Sequence, residues 1–420
     1  MTQQELIPHL FRSEYRKIVA VLCRRFGFDE IETAEDIASD TFLTAAQNWA
    51  YSGAPPNPTA WLYNVAKNKA KNYLHRSATF DDKVAPRILD ALPDPYETEI
   101  DLSPQNITDS QLQMMFAICH PSISSEAQIG LSLRILCGFG IDEIAEAFLS
   151  NKETINKRLF RAKEKLRQEK IRIEFPGDNE IGERLGNVLT TIYLLFSEGY
   201  YSVSSNQVLR KDLCLEAMRL CTMLVDNKST DLPPVNALLS LMYFHASRFE
   251  ARLSKDGELI LYDEQDTRLW NSELITKGAY YFRRAAIGDT LSKYHLEAGI
   301  AFWNTQKADT AEKWENILQL YNRLLQMAYS PVAALNRTYA LSKANSKEEA
   351  IIEAEKLKLE NNQFYFALLG ELYTGIDRRK ALDNFQRAFS LAKTATDKQA
   401  MQRKIDGLSP GDAAVICKNA

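Results

Sequence analysis

Apolar residues recur at steps of three and four along nearly the whole chain, and no strand-like alternation of any length appears. That spacing predicts an all-α protein. Leu6, Leu10, Ile18, Val21, Leu22 and Phe26 fall on one side of a helix over 6–28, ended by Gly27. A second helix, over 33–49, turns Ala34, Ile37, Ala38, Thr41, Ala45 and Trp49 inward and sets Glu35, Asp36, Ser39 and Asp40 opposite. The proline-rich stretch 51–58 reads as a rigid loop. Thr59 can then cap a helix running to Arg76, with Trp61, Leu62, Val65, Ala66, Ala70 and Leu74 as its inner stripe. Residues 77–108 hold Pro86, Pro93, Pro95 and Pro104 and read as a linker. Helices resume over 109–119 and 125–137.

The stretch 140–167 gives two short helices. Ile141, Ile144, Ala145 and Phe148 form the first stripe, Leu149-Ser150-Asn151 offers a tight turn, and Ile155, Leu159, Ala162 and Leu166 form the second. The other faces of the second helix carry Lys152, Asn156, Lys157, Arg158, Arg161, Lys163, Lys165 and Arg167. Two helices, a turn and a basic second helix describe a helix-turn-helix. Pro176-Gly177 closes that unit. Beyond Glu180 helix follows helix, with polar breaks at Asn227–Pro234, Lys255–Glu258 and Asn304–Asp309. Leu335/Leu369, Tyr339/Tyr373, Ile351/Phe385, Ala354/Ala388 and Leu357/Leu391 are each 34 residues apart, the tetratricopeptide period, and 290–328 suggests a third, degenerate copy.

Charge sharpens the picture where it is uneven. The whole chain of 420 residues, long enough for more than one domain, has a net charge of only -4. Residues 151–172 alone carry nine Lys or Arg against three Glu, whereas 81–101 carry seven acids against two bases. Surfaces of opposite sign point to different partners. Asp36 and Asp40 stand one turn apart, a like-charge pair that does not help its own helix and suits either plain solubility or a basic partner. Lys67, Lys69, Lys71 and Arg76 interleave with Tyr63, Asn68 and Tyr73, a pattern suited to single-stranded nucleic acid, although each ring taken singly fits a core position better. The six cysteines are scattered without metal-ligand spacing, and no Gly-rich phosphate loop or nucleophile–base pattern appears. No enzyme, cofactor or metal is therefore expected. The N-terminus lacks a charged region followed by an apolar core, and no apolar run approaches a membrane span, so a cytoplasmic protein is expected.

Three segments resemble the sigma-70 family, in particular its compact extracytoplasmic-function group. AEDIASDTF (34–42) is similar to that family's docking helix for the clamp of core RNA polymerase, which implies Asp36, Ile37, Asp40 and Phe42 as polymerase-binding residues. WLYNVAKNKAKNYL (61–74) is similar to the promoter −10 helix. The resemblance implies that Trp61, Lys67, Asn68, Lys71 and Arg76 meet the melted strand, with Asn68 and the 51–58 loop holding a flipped base. GIDEIAEAFLSNKETINKRLFRAKEKL (140–166) is similar to region 4, which implies Lys152, Thr154, Asn156, Lys157, Arg158 and Arg161 in the −35 major groove.

On this reading residues 1–76 form region 2, 77–108 an acidic linker threading the polymerase's RNA-exit path, and 109–173 region 4. HPSISSEAQIGLSLR (120–134), YLLFSEGYY (193–201) and SPVAALNRTYAL (330–341) resemble signature stretches of the subgroup with a tetratricopeptide-repeat extension, here 174–420. The implied partners are core RNA polymerase, promoter DNA and a protein partner of the repeats, with no membrane. A stand-alone helix-turn-helix regulator with sensing repeats is the alternative. It leaves the helices over 34–49 and 61–76 without a role.

Overall fold

The computed structural model describes residues 3–84, 100–148, 150–200, 210–252, 260, 262–392 and 395–408. It is all-α, with no strand among the described residues. None of the helices described is long and apolar enough to cross a membrane. The chain divides into two compact units, Met1–Asp231 and Leu232–Ala420.

In the first unit, α1 (Gln3–Phe26) is followed by a single 3-10 turn and α2 (Ile31–Ser52). The break between them is set by Gly27, whose φ of 84° is open to glycine without a Cβ penalty. The stripe Ala34, Ile37, Ala38, Thr41, Ala45, Trp49 is buried throughout. The third helix, α3 (Pro58–Val84), is capped one residue pair earlier than its sequence suggests. Asn57, not Thr59, accepts the free backbone N–H of Ala60, at 3.0 Å. It also runs eight residues into the stretch read as linker, which α4 (Pro104–Ile118) leaves behind Ser103, its N-cap. The proline-rich centre of that stretch, 85–99, lies outside the described residues.

After α5 (Ser125–Leu131) the helix widens into a π-turn over Ser132–Leu136. Then come α6 (Ile141–Ala147) and α7 (Lys152–Gln168), whose N-cap Asn151 accepts from Thr154 N at 2.8 Å. Leu149, part of the expected turn, lies outside the described residues. The stripe Ile155, Leu159, Ala162, Leu166 is buried as its period requires. α8 (Asp178–Tyr200) and α9 (Lys211–Asp226) complete the unit. It therefore ends at Asp231, well beyond the 173/174 boundary read from the sequence. The reason is packing: Thr191 on α8 donates to Gln128 on α5 at 2.8 Å, and Arg184 donates to the carbonyl of Phe116 on α4 at 3.2 Å.

The second unit is a run of helices, α10 (Pro233–Ala246), α11 (Ser272–Ala285), α12 (Lys293–Trp303), α13 (Ala311–Met327), α14 (Pro331–Ala344), α15 (Lys347–Leu357), α16 (Gln363–Tyr373), α17 (Arg378–Leu391) and α18 (Ala395–Leu408). The break expected at Lys255–Glu258 lies outside the described residues. Of the pairs 34 residues apart, Leu335 and Leu369 are both buried, as are Ile351 and Phe385, and Ala354 and Ala388, whereas Tyr339 is half-buried and Tyr373 buried. Small residues at this interface let helices approach. A Cβ on Gly370 would stand 2.7 Å from the ring of buried Phe385.

Candidate nucleic-acid and polymerase interface

On α2 the acidic face is split by depth. Asp36 and Asp40 are exposed, and Asp40 pairs with Lys69 of α3 at 2.5 Å. Glu35, expected on the solvated face with them, is 9% exposed. It receives Arg134 Nε at 2.9 Å and Lys163 Nζ, a carboxylate held by two cations far away in the chain. Ile37 and Phe42 stand apart from the other residues aligned with the polymerase-docking motif, because both are core. Ile37 is 9% exposed, and Phe42 is 4% exposed with its ring 5.1 Å from that of Phe11. The exposed apolar residue of this face is Leu43, 55% accessible, two turns beyond Asp36 and one beyond Asp40. Its position off the inner stripe was the sequence signal for it.

On α3, Asn68, Lys71 and Arg76 are exposed, while Trp61 and Lys67 are half-buried. Trp61 packs edge-on against Trp49, ring centres 5.3 Å apart, and so fixes α3 against α2. The interleaved tyrosines turn inward. Tyr63 donates to Glu14 of α1 at 2.6 Å, and Tyr73 packs on Phe26. With the rings committed to the core, the outer face is left to amides and cations: Asn64, Asn68, Lys71 and Asn72. An aromatic open to stacking is Tyr51, 95% exposed; it lies in the last turn of α2, which runs to Ser52 and shortens the loop expected over 51–58.

On α7, Lys152, Thr154, Asn156, Lys157 and Arg161 are exposed. Arg158 is half-buried, its guanidinium 5.6 Å from the centre of the Phe148 ring. Lys157, Arg158, Arg161 and Lys165 line an open groove of about 470 Å³ whose far wall is Ser122–Ser124. Two of these cations are held by exposed pairs one turn away, Lys157 with Glu153 and Lys165 with Glu169. Solvent-exposed pairs of this kind are weak and yield readily to phosphate. Phe160, 60% exposed beside Arg161, is an apolar contact that the stripe pattern left unassigned.

The far half of α7 has a different environment. Lys163 and Arg167, grouped by sequence with the solvated basic face, point at α2 and its preceding turn. Arg167 donates to the carbonyl of Phe28 at 2.8 Å and pairs with Glu32 and Glu164. Burial works against the charged form of Glu32, yet Lys163 and Arg167 hold its carboxyl below the usual range. Arg134 lies over the Tyr15 ring, and burial pushes the Tyr15 hydroxyl up to about 12.

Residues 10–79 match the family Sigma-70 region 2, and residues 184–286 match a family of unknown function, DUF6596. The chain is 31% identical over 395 residues to the "Uncharacterized protein R00370" of Rhizobium meliloti, covering 92% of this chain and 93% of that one. Over 80 residues it is 31% identical to the RNA polymerase sigma factor YlaC of Bacillus subtilis, covering 19% of this chain and 45% of the relative. Over 161 residues it is 26% identical to the ECF RNA polymerase sigma-E factor of Haemophilus influenzae, covering 37% of this chain and 83% of the relative. No solved structure matches. The first three helices thus form a sigma-70 region 2, and over almost its whole length the chain belongs to one family with the uncharacterized Rhizobium protein.

Proposed function

We propose that this protein is an alternative sigma factor of the extracytoplasmic-function type, which binds core RNA polymerase and starts transcription at specific promoters. The observation that carries this reading is the match of residues 10–79 to sigma-70 region 2, which falls on α1, α2 and α3. The likeness to two sigma factors supports core RNA polymerase and promoter DNA as the partners. In this reading the exposed acids of α2, Asp36 and Asp40, meet a basic surface of the polymerase, with Leu43 as their apolar neighbour. Ile37 and Phe42 shape that face from below. The outer face of α3 receives the melted −10 strand, cations on phosphates and amides on base edges, with Tyr51 as a stacking surface. α6 and α7 act as a helix-turn-helix, whose Lys152, Thr154, Asn156, Lys157, Arg158 and Arg161 enter the −35 groove.

The helical unit beyond Leu232 is a tetratricopeptide-like surface for docking or regulation by another protein. No catalytic role is assigned to any residue, and the place of action is the cytoplasm. The test is to sequence RNA 5′ ends made on genomic DNA by core polymerase with and without the purified chain. New, promoter-specific starts are expected only with it, and inability to bind core would overturn the reading. A permanganate footprint separates it from a stand-alone regulator: unpaired thymines that need core polymerase are expected of a sigma factor.

A further inference from the structure

Most of α8 and all of α9 fall within the match to the family of unknown function, and their contacts run to α1 on the region 2 side and to α4, α5 and the π-turn on the other. On the region 2 side, Glu216 of α9 accepts Arg16 of α1, with both carboxylate oxygens 2.7 Å from Nη1. On the other side, Arg219 of α9 pairs with the same Glu216 at 2.7 Å and donates to the carbonyl of Leu136 in the π-turn, also at 2.7 Å. α8 adds the bonds of Arg184 to α4 and Thr191 to α5. The two sides also meet directly, α2 with the π-turn and α7, through Glu35 and Glu32 with Arg134, Lys163 and Arg167.

We propose that α8 and α9 are an intramolecular clamp, latched by Glu216 between Arg16 and Arg219, that holds the −10 and −35 readers together in a closed state which core polymerase must open. This rests on the sigma-factor reading. Size makes opening necessary. A folded unit of 231 residues is about 45 Å across by the usual scaling of compact chains. Promoter elements about 25 base pairs apart are separated by roughly 85 Å along duplex DNA. The closed unit cannot reach both. The latch is partly open to solvent, its three side chains between 13% and 27% exposed, so water can replace its bonds when it parts.

The experiment uses the full chain with spin labels on Gln47→Cys of α2 and Gln168→Cys of α7, both exposed, and with Cys417→Ser. The other cysteines are buried and do not compete for label. A single short distance is expected in the free chain and a longer one with core polymerase. Glu216→Gln should lengthen or broaden the distance in the free chain and lower the core concentration for half-maximal transcription by about tenfold, as removal of a closed population does. Arg16→Gln breaks the same pair from α1 and must act alike, which separates unlatching from misfolding. The clamp is overturned if both variants keep the short distance, or if the chain transcribes with core while the distance stays short. A chain that never binds core overturns the sigma-factor reading itself, and the clamp with it.

Discussion

Arg158 and Arg161 are adjacent in function by motif but not in environment. Arg161 is exposed, whereas Arg158 is half-buried over the Phe148 ring. Arg161→Ala should therefore weaken binding to −35 duplex by about 1–3 kcal/mol if its side chain reaches a base edge, and leave the melting temperature unchanged. Arg158→Ala should lower both, because an arginine stem and a cation–π contact leave with it. Equal melting losses in the two variants would count against this division. A like division holds on α2. Asp40→Lys sets a cation beside Lys69 and disturbs the α2–α3 pair, so Asp36→Lys is the cleaner probe. It should impair core binding in a pull-down while free-DNA affinity stays as it was. Depth is what the motif could not convey. AEDIASDTF aligns Ile37 and Phe42 with the docking acids, yet the packing of Phe11 and Tyr15 on Phe42 comes from α1 and is invisible in nine residues. Leu43 and Tyr51 were legible in principle, since both fall off the inner stripe.

Single elements were the most legible scale, because helical period is a local property. The stripes of α2 and α7 are buried as their period requires, and Gly27 stops α1. What was missed comes from across the fold. Glu35 has the spacing of a solvated residue, and its partners lie 99 and 128 positions away. Another such tie joins α1 to α3. Glu14 is buried, and although burial alone would raise its pKa, hydrogen bonds from Tyr63 and Lys17 hold it below the usual value. A carboxyl with a depressed folded pKa contributes stability above its unfolded value, about 4.3, and loses it as pH falls through the folded value. Thermal melts from pH 7 to pH 3 should thus show Glu14→Gln less stable than the parent at neutral pH. The gap should close in the acid range. A gap of constant size across that range would mean that the charge of Glu14 contributes nothing to the α1–α3 tie.

At the scale of the whole molecule, the place to cut the chain follows from where its contacts close. Composition and motif put the boundary at 173/174, since Pro176-Gly177 looks like an ending and the recognised segments stop there. The proposed 34-residue period rests on a signal of the same local kind, because neighbouring repeats contact each other and their pattern stays within a short window. The seating of α8 on α4 and α5 spans more than sixty residues and leaves no such trace. α8 buries Ile181, Leu185, Val188, Leu189, Ile192, Leu195 and Phe196. At about 1.5–3 kcal/mol for each such side chain, uncovering even a few of them is comparable to the 5–15 kcal/mol of net stability of a whole domain. Even the share that faces α4 and α5, rather than α9, then decides whether the first unit folds. A fragment ending at Asp231 should melt in one sharp transition. A fragment ending at Arg172 should melt broadly and bind a hydrophobic dye, because Phe116, Gln128 and Arg16 lose their covering helices. Loss of transcription by the shorter fragment would then report unfolding, and the 231-residue fragment is the one that isolates the contribution of the second unit. If the two melt equally sharply, α8 and α9 are passengers on the first unit, and the sequence boundary is the right one.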